Sequence, residues 1–527
     1  TVDPNIDIVG IGAYTAYSSV AAGAVPSGWY IAAGAAGNYI WTGLTDSNWH
    51  TGNNWDAGFA PTAGTDNVEI VTAASLPTLS APVGINNLTV TSGTLTLAAG
   101  LTVASLINQS VIEITSTGSI NTSDNGSGTF RYSTGGGTIL PLAGYNNLEI
   151  TDATWTANTG LTVNGMLTVS DAASANFNAD PAGQATSADT VDFTTSGTIS
   201  FGNAGADSFT VITGALALSG APTFTLAGTL SAGGGITLGK DVSLSAGTTF
   251  ASASILTAPV TVTNGTNTLT LSQSLDCSGY NLTLSDSGQL VNNSTLAVGG
   301  AALSTVAIGG TGTVSISNGG SIDAAGTIAT LTVSATTDTI TLDGNGGLTI
   351  TNPVQGNLIT DGTVTLNSTA LLPITSLANS GTITLNGDLH VTGDISTSGS
   401  LTVPNTRTLV QGAGASFTVS AGTVSIGTNT CTIGNLTVTA GSFTQTGLNA
   451  GPQSATSLTT SGAGTITWDS VPNGGTLTLA GDVNAAGGSI SFGQKNVTFT
   501  ANATISDGTY YAVTVAGGAT VTGQGVF

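Results

Sequence analysis

Two kinds of residue pattern in this chain have the types and spacing for chemistry: oxygen ligands placed for calcium, and carboxylates paired for hydrolysis. Asp3-Pro-Asn5-Ile-Asp7 sets three oxygen side chains at alternate positions, as the opening of a calcium loop does, but Ile8 replaces the loop's Gly and the distal Glu is missing. Gly202-Asn-Ala-Gly205-Ala-Asp207-Ser-Phe209 has the form of one calcium-binding nonapeptide, with Asp207 as the ligand. It stands alone, whereas that mechanism holds ions between stacked copies. Calcium is therefore the one ion for which the sequence offers ligands, and no other cofactor is expected. The acid pairs Asp3 with Asp7, Asp276 with Asp286, and Asp388 with Asp394 are spaced for two-carboxylate glycan cleavage. With 27 acids in 527 residues such pairs arise by chance, and the cations these sites usually recruit are nearly absent. His50 and His390 have no metal-ligand spacing, and Cys277 and Cys431 lack a C-x-x-C partner. His390 takes the polar place in Leu389-His-Val391 and is expected to face outward. No catalytic residue is expected, and the chain reads as a non-enzyme.

The elements that would carry these residues are short strands. An aliphatic-Thr-aliphatic motif recurs as Leu88-Thr-Val90, Leu95-Thr-Leu97, Leu101-Thr-Val103, Leu161-Thr-Val163, Leu167-Thr-Val169, Leu269-Thr-Leu271, Leu282-Thr-Leu284, Leu331-Thr-Val333, Leu401-Thr-Val403, Leu436-Thr-Val438 and Leu477-Thr-Leu479. Alternation of apolar and polar residues marks a strand with one buried face, and β-branched Thr suits the outer surface. Gly-Thr and Gly-Ser steps such as Gly93-Thr94, Gly118-Ser119, Gly137-Thr138, Gly312-Thr313, Gly362-Thr363 and Gly422-Thr423 read as the stops between strands. The chain is expected to wind, strand after corner. A string of β-sandwich domains would instead need longer strands and a boundary about every 100 residues.

Composition narrows the partners. Charged residues are 6% of the chain and the net charge is −23, with Arg131, Arg407, Lys240 and Lys495 the only cations. A nucleic-acid binder needs clustered Lys and Arg, so that class is excluded. No apolar run is long enough for a membrane helix, and membrane insertion is not expected. Aliphatic content is too high for a disordered chain. The first residue is Thr1 with no leader before it, which reads as a secreted chain whose signal has been removed. At about 20 residues per coil, Cys277 and Cys431 would sit roughly 35 Å apart, too far for an internal disulfide.

Residues 1–40 differ from the rest: Tyr14, Tyr17, Trp29, Tyr30 and Tyr39 gather there, outside the Leu-Thr-Val texture. Aromatics of that size suit a cap or an interface. The following stretch, Trp41-Thr-Gly43, Asp46-Ser-Asn-Trp49, Asn53-Asn-Trp55, Pro61, Gly64, Asp66 and Val68-Glu-Ile70, resembles the W-x-G, W, N-W, P, G-D-x-V-x-I opening of secreted bacterial β-solenoids of the autotransporter-associated β-strand repeat type. Thr65 between the Gly and the Asp departs from it. Gly128-Thr-Phe130-Arg-Tyr132 and Tyr145-Asn-Asn-Leu148-Glu-Ile150 are similar to repeats of large bacterial surface proteins. The resemblance implies an extracellular solenoid and little about activity. The long alternating strands of a C-terminal membrane barrel are lacking.

The fold expected is all-β, an elongated parallel β-solenoid (β-helix) of about 20 coils with a distinct aromatic-rich N-terminal segment. Residues 1–40 would be an assembly or capping segment, 41–70 the solenoid's opening cap, and 71–527 its body. Tyr510-Tyr-Ala-Val-Thr-Val515 and the residues after it still read as running solenoid, so the last coil needs a cover. The function expected is an extracellular, cell-surface structural protein that polymerises with copies of itself into a filament or layer. Tyr14, Tyr17, Trp29, Tyr30, Tyr39, Tyr510, Tyr511 and Phe527 would form the interface. Two alternatives are a cell-surface adhesin, with surface glycans as its partner, and a polysaccharide-active β-helix enzyme. The adhesin would show a binding insertion, for which Tyr145–Trp155 is the best candidate and Asn176–Asp192, a less regular stretch, the other.

Overall fold

In the computed structural model the chain is a parallel β-solenoid of about 19 turns, divided between two compact units, residues 1–237 with 242–252 and residues 238–241 with 253–527. The structure describes residues 37–523 except 124–125, 178–182, 278, 300–301, 317–320, 329, 334–338, 351–355, 367–372, 386–387, 405–406, 428–429, 447–451, 469–474 and 507–511. It also describes the backbone of Tyr14–Ala16, which pairs in parallel with Trp29–Ile31. The sequence texture, uniform along the body, gives no sign of the division into two units.

Each aliphatic-Thr-aliphatic motif lies on or against a strand, and the aliphatics whose side chains are described point inward. Leu95 and Leu97 are fully buried in Thr94–Leu97, and Thr96 between them is half-exposed. Successive coils pair in parallel and in register. In the first unit, Leu95 stacks on Ile112, then Phe130, Leu148, Leu167 and Val191. In the second unit three faces are clear. Leu409, Cys431, Gln453, Leu477, Val497 and Val513 form one inward column. Phe417, Leu436, Leu458, Val483 and Ile505 form the next. Val424, Phe443, Ile466 and Ile490 form the third. A polymer of strands stacked this way has its backbone groups satisfied by the coils above and below, so each added coil extends the core along the axis.

Some corners do not interrupt the ladder. Gly137-Thr138 and Gly362-Thr363, expected as stops, lie within Gly137–Thr138 and Gly356–Leu366. Thr223–Ala232 turns at Gly228, where φ is +73° and the register with Val242–Phe250 shifts. A Cβ at Gly228 would lie 2.2 Å from the carbonyl oxygen of Asp207 on the coil below. The glycine is required by close approach as well as by its backbone angle.

The opening of the first unit is an aromatic plug. Asn38–Ile40 pairs with Asn67–Ile70, which pairs with Val83–Val90, and the chain between them folds into an irregular coil. Trp41, Trp49 and Trp55 are buried and meet edge to face, with ring centres 5.0 Å (Trp41–Trp55) and 4.8 Å (Trp49–Trp55) apart. Asn54, fully buried, organises the backbone around them. Its Oδ1 accepts from the amides of Thr45 (2.8 Å) and Asp46 (3.1 Å), and its Nδ2 donates to Asp46 Oδ1 (2.6 Å) and the Asn48 carbonyl (3.0 Å). The Asn-Trp pair thus joins backbone bonding to core filling.

Candidate functional site

Most residues expected to act in assembly or to bind calcium lie outside the described residues: Asp3, Asn5, Asp7, Tyr17, Tyr510, Tyr511 and Phe527. Tyr14, Trp29 and Tyr30 sit on strands described by backbone alone, with Tyr14 in register with Trp29. Tyr39, expected at an interface, is 3% exposed, and its ring meets Trp55 and Phe59 edge to face at 6.3 Å and 5.7 Å. That side chain is engaged within the chain's own plug.

Asp207 is buried at a corner, and both of its oxygens face N–H donors. Oδ1 accepts from Gly183 (2.8 Å) and Gln184 (3.1 Å), and Oδ2 from Asn203 (2.8 Å) and Ala204 (3.1 Å). Burial pushes its carboxyl up, but the four backbone donors outweigh burial and the net shift is downward. A cation needs those lone pairs, so the geometry makes Asp207 a coil anchor rather than a metal ligand. Asp66 repeats the arrangement, accepting from Thr62 (3.0 Å) and Ala63 (2.9 Å). The shared local signal is Ala-Gly-x-Asp, at Ala63–Asp66 and Ala204–Asp207. Among the described residues no group of three or more His, Cys, Asp or Glu is placed to hold a metal.

The paired acids are also tied to neighbouring coils. Asp388 accepts from the Thr408 amide and Asp394 from the Ser416 amide, each at 2.8 Å and one coil further on. Asp482 does the same for Thr504 at 2.7 Å. His390 is half-exposed on Leu389–Val391, outward as expected. Tyr145 and Trp155, in the stretch considered for binding, are buried: Tyr132 and Tyr145 share a hydroxyl hydrogen bond of 2.9 Å, and Trp155 Nε1 donates to the Ser133 carbonyl at 3.0 Å. The aromatic side chains at both ends of that stretch fill the core.

Two sets of buried polar residues were not anticipated. The first is a series of amides at inward strand positions near corners: Asn108, Asn292, Asn379 and Gln411, each 0–4% exposed. Asn108 Oδ1 accepts from Ser110 and Asn292 Oδ1 from Ser294, while their Nδ2 groups donate to carbonyls one coil on, at Thr129 and Thr313. Asn108 is thereby closed to glycosylation despite its N-x-S context. The second set is a core cluster of Cys431, Gln453, Trp468 and Lys495, all at most 2% exposed. Lys495 Nζ (2.5 Å) and Trp468 Nε1 (2.8 Å) both donate to Gln453 Oε1.

Cys277 and Cys431 are buried free thiols, and burial pushes both up to about 12. At pH 8 in the folded protein neither is expected to react with a thiol-exchange reagent, and both should react after denaturation. Counting reactive thiols in the two states checks this.

No protein-family model, curated protein or solved structure matches the chain.

A further apolar surface lies on the strand Ala512–Val515. That strand pairs with Asn496–Phe499, placing Val513 on Val497 and Val515 on Phe499. Val497 and Phe499 are fully buried, yet Val513 and Val515 are 41% and 44% exposed. Side chains in the inward phase of the repeat are therefore open to water there.

Proposed function

We propose that this protein is an extracellular structural protein, polymerising with copies of itself into a cell-surface filament or layer by stacking of coils. The observation that carries the reading is the parallel, in-register pairing of coil on coil through the described residues of the second unit, a geometry that a second copy of the chain can continue. The body contributes rigidity rather than chemistry: its carboxylates are spent on coil-to-coil hydrogen bonds, and its aromatics on the interior. Scarcity of Lys and Arg leaves few tryptic sites, a property suited to exposure outside a cell.

Electron microscopy and sedimentation of the purified chain test this reading. The wild type is expected to form end-to-end polymers, and a Val513→Glu, Val515→Glu double variant to stay monomeric with an unchanged far-UV spectrum. A wild type that remains a monodisperse monomer at high concentration, with and without calcium, would overturn it.

A further inference from the structure

We propose that Lys495 and Gln453 become joined by an intramolecular isopeptide bond, formed by the chain itself between the lysine Nζ and the glutamine Cδ. The inference is independent of the assembly reading and rests on the core cluster of the second unit. Gln453 occupies an inward position in the column between Cys431 and Leu477. Lys495 reaches it from 42 residues on, after the chain has passed through the next coil, and is fully buried. Its Nζ lies 2.5 Å from Gln453 Oε1, so the carbonyl carbon is one C=O bond beyond a contact already made.

The surroundings favour amide exchange. The exchange proceeds through the lysine as its neutral amine, the form whose lone pair can attack the carbonyl carbon. Trp468 Nε1 donates to the same oxygen at 2.8 Å, where it would steady the negative charge that grows as the carbon becomes tetrahedral. The amine nitrogen bonds to Cδ, the bond from Cδ to the amide nitrogen breaks, and one Nζ proton ends on the departing nitrogen. Ammonia leaves, and no oxidant or further reactant is needed. The product is a neutral secondary amide in place of a buried amine, tying together the coils that contain Gln453 and Lys495.

Two measurements on the wild-type protein decide it. The intact mass is expected to be about 17 Da below the sequence mass, the weight of one ammonia. Trypsin acting on the denatured chain should cut after Arg131, Lys240 and Arg407 but not after Lys495, because an acylated lysine is not a substrate; residues 408–527 then stay in one fragment. Lys495→Arg should remove the 17 Da deficit and restore that cut. An unreduced mass with cleavage at Lys495 would overturn the proposal. So would a 17 Da deficit with cleavage retained and uptake of methylamine, which would instead mark a thioester between Cys431 and Gln453. A deficit that persists in Lys495→Arg would place the lost ammonia elsewhere and overturn it equally. The wild-type readings stand whether or not the variant folds.

Discussion

Gln411→Leu is expected to cost the second unit about 3–5 kcal/mol, the sum of several unpaired backbone groups at roughly 1–3 kcal/mol each. Gln411 is 2% exposed and its amide holds three successive coils. Nε2 donates to the carbonyls of Gly393 (3.0 Å) and Ser416 (2.9 Å), and Oε1 accepts from the amide of Gly434 (3.0 Å). Leucine nearly matches the volume, but it leaves the buried Gly434 amide without its acceptor and the part-buried Gly393 and Ser416 carbonyls without their donor. Gly434 cannot compensate by growing a side chain, since a Cβ there would lie 1.9 Å from the Ala415 carbonyl. Gln411→Glu should be worse still, because a carboxylate can accept from Gly434 but offers no donor to two carbonyls. As a control, Thr418→Ala on the outer surface should change stability by less than about 0.5 kcal/mol. A solenoid need not unfold as one unit, so hydrogen exchange at the Gly434 amide is the better local readout beside denaturant titration. A loss below about 1 kcal/mol for Gln411→Leu would show that the corner re-satisfies itself with water.

The difference between Thr418 and Gln411 also marks how far the fold was legible. Thr between aliphatics announced its outward position through the period of two, and Leu, Val, Ile and Phe announced theirs. The same period placed Asn108, Asn292, Asn379 and Gln411 inward, in Leu106-Ile-Asn108, Leu290-Val-Asn292, Leu377-Ala-Asn379 and Leu409-Val-Gln411. Polar residues at the end of an apolar run are more readily read as turns, and a buried amide at a strand end is satisfied because a neighbouring coil presents backbone groups to it. That partner lies roughly one coil away, beyond any local pattern. Gly362 misled for a related reason: the ladder carries on through its corner. Lys495, in Phe492-Gly-Gln-Lys495, has the local look of a surface turn. Its burial depends on Gln453, which local spacing cannot connect to it. The tryptophan plug was the easier case, since Trp41, Trp49 and Trp55 cluster in sequence as they do in space.

Asp207→Asn should lower the stability of the first unit by about 2–4 kcal/mol at pH 7, the scale expected for charge-assisted hydrogen bonds replaced by opposed donors. Four amides point at two carboxylate oxygens, and asparagine must turn its NH2 toward one pair of them. Alanine would remove the acceptors altogether and is expected to do at least as much harm. The pH dependence gives the sharper test. Because the folded carboxyl lies below its usual value, the unfolded chain binds the proton more readily, and stability falls as the medium is acidified. The contribution is complete above the unfolded carboxylate range, near pH 4, and disappears as pH drops through the depressed folded value. Wild type should therefore lose stability between about pH 5 and pH 2 more steeply than Asp207→Asn, and the two melting curves should converge in acid. Calcium separates the anchor from the ligand: a site made by Asp207 would raise the wild-type melting temperature on adding the ion, whereas an anchored carboxylate predicts no shift. A calcium-dependent rise that Asp207→Asn abolishes would return Asp207 to the role its nonapeptide pattern first suggested. With four amides on its oxygens, the expected result is acid sensitivity without calcium sensitivity.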